Sequence, residues 1–320
     1  MSEAAIGSAL RGRAPAKVNL GLAVTGVRPN GYHELQSVFL RLDLVDTLEV
    51  RAGALGGPDA LAITGDRDCP VEGNLVLRAT AALRAASPTT QARPALAFAL
   101  DKRIPMGAGL AGGSTDAAAA LRLAAQAWGL SPDAGDLLAL GADLGADVPF
   151  FVAGHPAALI TGVGERIEAL PPLRSPVGVL LVTPPWGMAT PATFKAFDRL
   201  PAPGPDAARV TAALAQRWRG GLDGAALADE AAGLRDANDL WAAVALLEPR
   251  MARLRAVLEA CLGRPVLLTG SGSTLVALYP SPRAARAAAD RLGSDRDDEL
   301  VGTRVSATRD GQEQDEEPRP

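Results

Sequence analysis

Cysteine and histidine are scarce in this chain of 320 residues. Two cysteines, Cys69 and Cys261, and two histidines, His33 and His155, are too few and too scattered for a disulfide framework or for a zinc site built from these residues. We expect both cysteines to be reduced thiols, in the core or in loops. A Ser-His-Asp hydrolase would have to recruit one of the two histidines, and no G-x-S-x-G segment supports that chemistry.

The chain also lacks an excess of positive charge and long apolar runs. Its 32 lysines and arginines are outnumbered by 36 aspartates and glutamates, a formal net charge of −4, so the composition offers no basic surface for a nucleic-acid backbone. The first thirteen residues lack the apolar stretch of a signal peptide, and no run reaches the ~18 apolar residues that span a bilayer. We therefore expect a cytoplasmic protein with no nucleic acid and no membrane as a partner.

What the chain does have is enough apolar sequence for large cores. With 48% hydrophobic and 21% charged residues, it can form one large domain or two ordinary ones. Glycine (34) and proline (25) exceed ordinary usage, and we expect the excess in turns and functional loops. Proline pairs cluster from Pro171 to Pro185, which places a domain boundary between about 155 and 180. The residues from Asp310 onward are almost without apolar side chains, so we expect a disordered tail.

Apolar periodicity predicts strands and helices that alternate along the chain. Residues 16–24 alternate between two faces, which is typical of a half-buried strand that carries one charge, Lys17. Arg28 to Gly31 has the chemistry of a turn, and residues 32–44 are compatible with a strand or with mixed structure. The same reasoning predicts strands at 48–51, 61–64, 95–101, 265–269 and 274–279, a strand pair at 157–160 and 178–182, and helices at 74–86, 117–128, 136–144, 206–219, 240–247, 250–261 and 282–292.

The sharpest local feature is the glycine-rich segment 104–116, IPMGAGLAGGSTD, which precedes an alanine-rich helix. Backbone N–H groups at a helix N-terminus attract phosphate, and glycine lets a ligand approach the backbone. The segment matches G-x-G-x-x-G, but it lies in mid-chain and a second helix follows the first, which disfavours a dinucleotide fold. No lysine follows the glycines, so a Walker phosphate loop is absent. A structural turn, with Ser114 or Thr115 capping the helix, is the alternative.

Two charged residues lie in surroundings that suggest a function. Lys17 shares a strand face with Asn19, and its ammonium either reaches solvent or points into a site. Asp147 precedes the apolar run VPFF, where it caps a turn or, if buried, requires a partner such as Lys17. A lysine and an aspartate near an anion-binding loop are what phosphoryl transfer requires.

Aromatic side chains and a second glycine-containing turn extend the set of candidates. Tyr32 and His33 follow a turn, and they and Phe194 have planar side chains that can stack on a base. Surface aromatics without a function are an equally good interpretation. The segment TGSGST at 269–274 lies between two predicted strands, and it is either a hairpin turn or a second phosphate-facing loop.

Four segments taken together resemble the GHMP kinase superfamily and occur in its order: PAKVNLGLAVTGVRPNGYHELQSVF, PMGAGLAGGSTDAAAAL, LGADVPFFVAGHPAALITGVGE and LLTGSGSTLVALY. The resemblance covers about residues 14 to 280. Within the superfamily, NGYHELQSVF, GADVPFF and TPATFKAF resemble the branch that phosphorylates a cytidine diphosphate-linked methylerythritol in the non-mevalonate isoprenoid pathway. The resemblance implies a kinase that uses ATP and Mg²⁺ on this small-molecule substrate, and a monomer or weak homodimer.

The resemblance also implies a role for particular residues. Lys17 and Asp147 correspond to the catalytic pair, with Asp147 as the base toward the 2-hydroxyl of the methylerythritol moiety and Lys17 as its electrostatic assistant. Cytidine is held by Tyr32 and His33 and stacked from its other side by Phe194, and the substrate cleft has polar contacts from Asn19 and Thr190. No metal ligand is assigned. The ATP phosphates lie on the glycine-rich segment, formed by Pro105, Met106, Gly107, Ala108, Gly109, Leu110, Ala111, Gly112, Gly113, Ser114 and Thr115.

The fold that the resemblance implies is α+β with two domains. It consists of an N-terminal α/β domain with a left-handed βαβ crossover, a C-terminal ferredoxin-like domain, and an active site in the cleft between them. We place the N-terminal domain at 1–160, the C-terminal domain at 161–308 and a disordered tail at 309–320. The chain departs from the family at Ala111, where a glycine is common.

Two other functions remain open from the sequence. Another GHMP kinase, such as a homoserine or mevalonate kinase, would share the catalytic residues and lack a cytosine pocket. A ligand sensor or interaction module would bind a nucleotide without catalysis, and the presence of both Lys17 and Asp147 disfavours it.

Overall fold

The structure is a computed structural model that describes residues 9–66, 68–86, 93–294 and 304–309. The chain forms two compact units, neither of which is continuous in sequence. The first unit contains residues 1–16, 45–106 and 111–154, and the second contains residues 17–44, 107–110 and 155–320. The glycine-rich segment therefore belongs in part to each unit. Among the described residues, no helix is long and apolar enough to cross a membrane.

The first two strands, β1 (Leu10–Val27) and β2 (His33–Ala52), pair with each other and run through both units. In the first unit, β2 pairs antiparallel with β4 (Leu96–Lys102), with Thr47 opposite Asp101. On its other edge β4 pairs in parallel with β3 (Ala60–Gly65). A crossover helix, α1 (Leu75–Ala86), connects this parallel pair, so β3, α1 and β4 form a βαβ unit.

Three more helices of the first unit pack with α1 into one layer. They are α2 (Gly112–Ala127), α3 (Ala134–Leu144) and α4 (Val148–Ala153). The small side chains of the alanine-rich α2 are buried from Ala117 to Ala120, which lets α1 and α4 pack against it. Asp133 caps α3 by accepting a 2.7 Å hydrogen bond from the backbone N–H of Asp136.

The second unit contains two sheets. In the first, β2 pairs antiparallel with β5 (Ala157–Gly162), which pairs antiparallel with β6 (Arg166–Leu170). The second has four antiparallel strands in the order β10-β7-β9-β8, namely β7 (Gly178–Thr183), β8 (Leu267–Leu268), β9 (Leu275–Tyr279) and β10 (Arg304–Arg309). In chain order this is 4-1-3-2, the strand order of a ferredoxin-like sheet, so that expectation is confirmed.

Seven helices accompany the sheets of the second unit in the described part of the chain. Among them α11 packs on β7 and β10, and the apolar side chains of α10 lie in the core of the four-stranded sheet. The helices are α5 (Thr190–Phe197), α6 (Asp206–Arg219), α7 (Gly224–Asp229), α8 (Ala231–Leu234), α9 (Trp241–Leu247), α10 (Arg250–Leu262) and α11 (Pro282–Ser294).

Most predicted elements are present, and several are longer than the sequence indicated. The helix expected at 117–128 begins at Gly112, and the strand expected at 16–24 extends from Leu10 to Val27. The strands at 157–160 and 178–182 are not a pair, because the first pairs with β2 and β6 and the second with β9 and β10. The apolar run after Asp147 is the short helix α4, and α5, α7, α8, β6 and β10 were not predicted.

The compact units do not follow a single cut in the sequence, because residues 17–44 and 107–110 belong with the C-terminal part. A boundary at residue 160 stays a prediction, as does the left-handed crossover. The tail expected at 309–320 lies outside the described residues except for Arg309, the last residue of β10. Neither cysteine forms a disulfide: Cys69 is partly buried, and Cys261 is exposed on α10.

Candidate active site

In the first unit, the glycine-rich segment begins α2 without a side-chain cap. The residue before the helix, Ala111, adopts a left-handed conformation with φ 58° and ψ 33°, and its methyl side chain provides no capping hydrogen bond. The predicted caps, Ser114 and Thr115, lie inside the helix, so the capping interpretation was wrong. N–H groups at the positive end of a 16-residue helix attract anions, so this end of α2 stays a prediction for phosphate binding.

Residues 107–110 belong to the second unit, where the 269–274 turn supports them. Gly109 has φ +76°, and a Cβ at this position would lie 2.4 Å from the carbonyl oxygen of Thr269. The backbone N–H of Thr274 donates to the carbonyl of Ala108 over 3.2 Å, and that of Met188 donates to the carbonyl of Gly107 over 3.1 Å. The turn is therefore a hairpin between β8 and β9, and its backbone packs directly on the glycine-rich segment.

Lys17 lies on β1 and does not extend to solvent. It is 3% exposed, and its ammonium donates to Asn19 Oδ1 over 2.7 Å and to the carbonyl of Gly109 over 3.4 Å. The ammonium also lies 4.6 Å from the centre of the Phe39 ring. Its position beside Gly109 brings a fixed positive charge to the glycine-rich segment of the second unit, which favours the functional interpretation of this lysine.

A network of buried polar side chains orients Asn19 beside Lys17. The amide group of Asn19 donates to Ser37 Oγ over 2.9 Å, which leaves Oδ1 as the acceptor for Lys17. The hydroxyl of Thr269 accepts from the backbone N–H of Asn19 over 2.9 Å and donates to Asn19 Oδ1 over 3.3 Å. No role was predicted for Ser37 or Thr269 from the sequence. Thr269 lies in the glycine- and serine-containing segment 269–274, which was noted as a candidate turn, whereas no local pattern marks Ser37.

Asp147 lies in the first unit immediately before α4. It is partly buried, and its carboxylate accepts no capping hydrogen bond from the helix that follows. Close packing fixes α4: Gly141 of α3 lies so near that a Cβ there would be 3.2 Å from Val148 Cγ1, and Arg122 of α2 donates to the carbonyl of Phe151 over 2.8 Å. Asp147 is thus carried on a rigid element and is not used as its cap.

The aromatic residues form a cluster in the second unit. The rings of His33 and Phe194 stack with centres 4.7 Å apart and an interplanar angle of 28°, while Tyr32 is 61% exposed. His33 Nε2 lies 2.6 Å from Asp198 Oδ1, and because a carboxylate accepts, Nε2 carries the proton. A neutral His33 then presents Nδ1 as an acceptor. Sequence analysis gave no indication of Asp198.

Thr190, at the start of α5, connects this helix, which carries Phe194, to the 269–274 turn. Its hydroxyl lies 2.8 Å from the hydroxyl of Ser271. The turn is held from its other side by Asn238, whose amide group donates to the carbonyls of Leu268 and Gly270 over 3.1 and 3.0 Å. The structure thus brings Lys17, Asn19, residues 107–110 and the turn together within the second unit.

The sequence profile described as "GHMP kinases N terminal domain" matches residues 74–155, and the one described as "GHMP kinases C terminal" matches residues 224–297. A homoserine kinase structure from Cytophaga hutchinsonii has a TM-score of 0.65 at 17% identity over 97% of this chain and 96% of that chain, a likeness of fold alone. The fold and these matches define a GHMP kinase, and the α+β expectation is confirmed.

Relatives with higher identity identify the branch. The "4-diphosphocytidyl-2-C-methyl-D-erythritol kinase" of Granulibacter bethesdensis is 40% identical over 293 residues, which covers 87% of this chain and 88% of the relative. That of Rhodopseudomonas palustris is 41% identical over 88% and 92% of the two chains. A crystal structure of 4-(cytidine 5'-diphospho)-2C-methyl-D-erythritol kinase has a TM-score of 0.68 at 34% identity, over 94% of this chain and 100% of that chain. The chain belongs to the family of 4-diphosphocytidyl-2-C-methyl-D-erythritol kinases.

Proposed function

We propose that the chain transfers the terminal phosphoryl group of ATP to the 2-hydroxyl of 4-diphosphocytidyl-2-C-methyl-D-erythritol, a step of the methylerythritol phosphate route to isoprenoid precursors. The observation that carries the proposal is the buried ammonium of Lys17, held 3.4 Å from the carbonyl of Gly109 in a chain whose relatives bear that enzyme's name. Burial of a cation is costly and is not needed to stabilise the fold. Phosphoryl transfer, by contrast, requires positive charge beside a glycine-rich segment that binds phosphates.

Asp147 accepts the proton of the substrate hydroxyl, and Lys17 stabilises the negative charge that develops on the transferred group. Phosphoryl transfer involves little covalent chemistry by the protein, so positioning and electrostatics supply most of the acceleration. Support for Asp147 as the base comes from its partial burial on a rigid element and from the absence of a capping role. Support for Lys17 comes from its fixed orientation by Asn19.

The ATP phosphates bind the glycine-rich segment 105–115, whose last part is the first turn of α2. Mg²⁺ would supply positive charge that neutralises the phosphate oxygens of the nucleotide. Among the described residues no group of three His, Cys, Asp or Glu side chains can hold a metal, but Mg²⁺ bound to a nucleotide takes only one or two protein ligands. The partly exposed hydroxyl of Ser114 in the first turn of α2 fits this requirement, whereas that of Thr115 is enclosed.

The cytidine base is recognised by the aromatic cluster. Asp198 holds the proton of His33 on Nε2, so that Nδ1 accepts a hydrogen bond. Cytosine has an exocyclic amino group that donates there, whereas uracil has a carbonyl at the same position. Stacking on Phe194 or Tyr32 supplies apolar contact, and Asn19 and Thr190 contact the remainder of the substrate.

The test is ADP release by the purified chain with Mg-ATP on 4-diphosphocytidyl-methylerythritol, with homoserine and mevalonate in parallel. We expect release on the cytidyl compound alone. Asp147→Asn should lower kcat about 10²- to 10⁴-fold, the range for a general base. Release only on another alcohol would refute the cytosine pocket, and loss of less than about tenfold in Asp147→Asn would refute the base.

A further inference from the structure

Three charged side chains form a buried cluster in the first unit that the proposed mechanism does not use. Lys102 ends β4, Asp46 lies on β2 and Asp116 lies in the second turn of α2, and their side chains are 2%, 0% and 3% exposed. The Lys102 ammonium pairs with Asp46 Oδ2 and donates to Asp116 Oδ2 over 2.7 Å. Burying three charges is costly, and apolar residues of similar volume often provide equal stability, so the cluster calls for a reason other than stability.

The cluster holds both ends of the glycine-rich segment. At its entry, Asp46 Oδ1 accepts the backbone N–H groups of Arg103 and Ile104 over 2.5 and 2.8 Å. At its exit, Asp116 belongs to α2, whose first turn carries the proposed phosphate site. Lys102 bridges the two carboxylates and so joins the entry to the exit.

Gly112 shows how closely the cluster lies beneath the first residue of α2. A Cβ at this position would be 2.8 Å from Lys102 Nζ and 3.0 Å from Ile104 Cγ2. A larger residue here would require the Lys102 ammonium or the Ile104 side chain to move, because they occupy the space of a side chain. Lys102 therefore packs directly against the backbone at this end of the helix.

The carboxyl of Asp116 is not optimally stabilised as an ion. Its Oδ1 is buried and has no hydrogen-bond partner among the residues that the structure describes. Burial raises the pKa of Asp116 to about 7, because desolvation and the charge of Asp46 outweigh the charge of Lys102. A cluster selected for stability would satisfy both carboxylate oxygens, as the buried Asp46 does.

We propose that Asp46, Lys102 and Asp116 are positioning residues that fix the first turn of α2 against the entry of the glycine-rich segment and thereby set the affinity for ATP. The inference rests on the proposed function in one respect, that the ATP phosphates bind this turn. Backbone donors that are displaced from a bound phosphate make longer and more bent hydrogen bonds, which weakens binding.

The principal variant is Lys102→Met with Asp116→Leu, which replaces the pair by apolar residues of similar size and leaves Asp46 with its two backbone donors. We expect the Kd for Mg-ATP, measured by titration calorimetry without acceptor substrate, to rise at least tenfold. Asp116→Asn keeps an oxygen for Lys102, and we expect its Kd to stay within about threefold of wild type. In steady state, KM for ATP should rise with the calorimetric Kd, while KM for the cytidyl substrate changes less than about threefold.

The matched control is Arg84→Met. Arg84 pairs with Asp59 in the same unit and lies over the ring of Trp128, the residue that ends α2, so it contacts the opposite end of the same helix. We expect this variant to lose thermal stability and to keep the wild-type Kd for ATP. An equal rise in Kd in Arg84→Met would show a general structural effect and would overturn the proposal.

Wild-type ATP affinity in a folded double variant would also overturn it. If thermal unfolding shows that the double variant does not fold, Asp46→Asn carries the test. This change keeps the size of the side chain but removes the charge that faces Lys102 and weakens the acceptor for the N–H groups of Arg103 and Ile104. A raised Kd supports the proposal and an unchanged Kd overturns it. Because ATP binding is measured without acceptor, a chain that failed to phosphorylate the cytidyl compound would still give a decisive result here.

Discussion

The Lys17 ammonium is the group whose removal gives the clearest separation of catalysis from stability. Replacement by methionine keeps the length of the side chain and its contact with Phe39. It removes a donor that lies 2.7 Å from Asn19 Oδ1 and 3.4 Å from the carbonyl of Gly109. Asn19 Oδ1 keeps a second donor in the hydroxyl of Thr269, at 3.3 Å, so no acceptor of Asn19 is orphaned.

These contacts set the expected magnitudes for Lys17→Met. Loss of one preorganised group that stabilises developing charge costs about 10²- to 10³-fold in kcat, or about 2.7–4 kcal/mol. The free energy of unfolding should fall by less than about 2 kcal/mol, because the lost hydrogen bonds are offset by removal of a buried charge. The charge acts on the transition state, so KM for both substrates should change only a few-fold.

The assay for Lys17→Met combines steady-state kinetics with urea unfolding of the same preparations. Lys17→Arg, which keeps the charge in an altered shape, should retain more activity than Lys17→Met. The reasoning would be refuted if a folded Lys17→Met retained kcat within about tenfold of wild type, or if its loss of activity accompanied a destabilisation above about 3 kcal/mol.

Three further changes test other parts of the structure. Gly109→Ala places a Cβ 2.4 Å from the Thr269 carbonyl oxygen at φ +76°, so we expect the Kd for ATP to rise at least tenfold and the free energy of unfolding to fall by more than about 1–2 kcal/mol. Asp198→Ala removes the acceptor of His33 Nε2, so we expect KM for the cytidyl substrate to rise about tenfold, with KM for ATP unchanged and weaker discrimination against a uridine analogue. Asp116, whose pKa burial raises to about 7, binds its proton more tightly in the folded state than in the unfolded chain, so its contribution to stability is complete below pH 3.8 and is lost as the pH rises to about 7. Urea unfolding from pH 5 to 8 should show this fall in wild type and not in Asp116→Asn.

Each of these changes has its own control. Gly129 has φ +61° with nothing within 4 Å of an added Cβ, so Gly129→Ala measures backbone strain without a clash and should leave ATP binding intact. Asp198→Asn keeps an acceptor and should restore part of the substrate affinity; equal losses in the alanine and asparagine variants would argue against the tautomer. For Asp116, the difference between wild type and variant removes the contributions of other titrating groups, and parallel stability curves would contradict the assigned pKa shift.

Local sequence pattern was sufficient to propose candidate residues for the chemistry and insufficient to show which residues support them. The glycine-rich segment, Lys17 and Asp147 were found because glycine and charge in apolar surroundings are visible in one stretch of sequence. Asp198 and Asn238 were missed, since each is an ordinary polar residue whose role comes from a partner far away along the chain, 165 residues to His33 and 30 to Leu268. The prediction of strand pairing was wrong for the same reason, because the partners of residues 157–160 depend on long-range topology and not on the local sequence pattern.

The start of α2 shows why sequence rules misjudged the helix boundary at the functional site. Alanine disfavours a left-handed conformation by about 1–2 kcal/mol, and a glycine in a helix costs about 0.5–1 kcal/mol relative to alanine. Yet Ala111 is left-handed, the helix begins with two glycines, and Ser114 and Thr115 lie inside it where they cap nothing. A helix selected for stability would begin at a serine or aspartate cap, and the rules therefore placed its start at Ala117. The proposed phosphate site would resolve the conflict, because a bound anion satisfies the N–H groups that a cap would otherwise occupy, and glycine leaves them accessible.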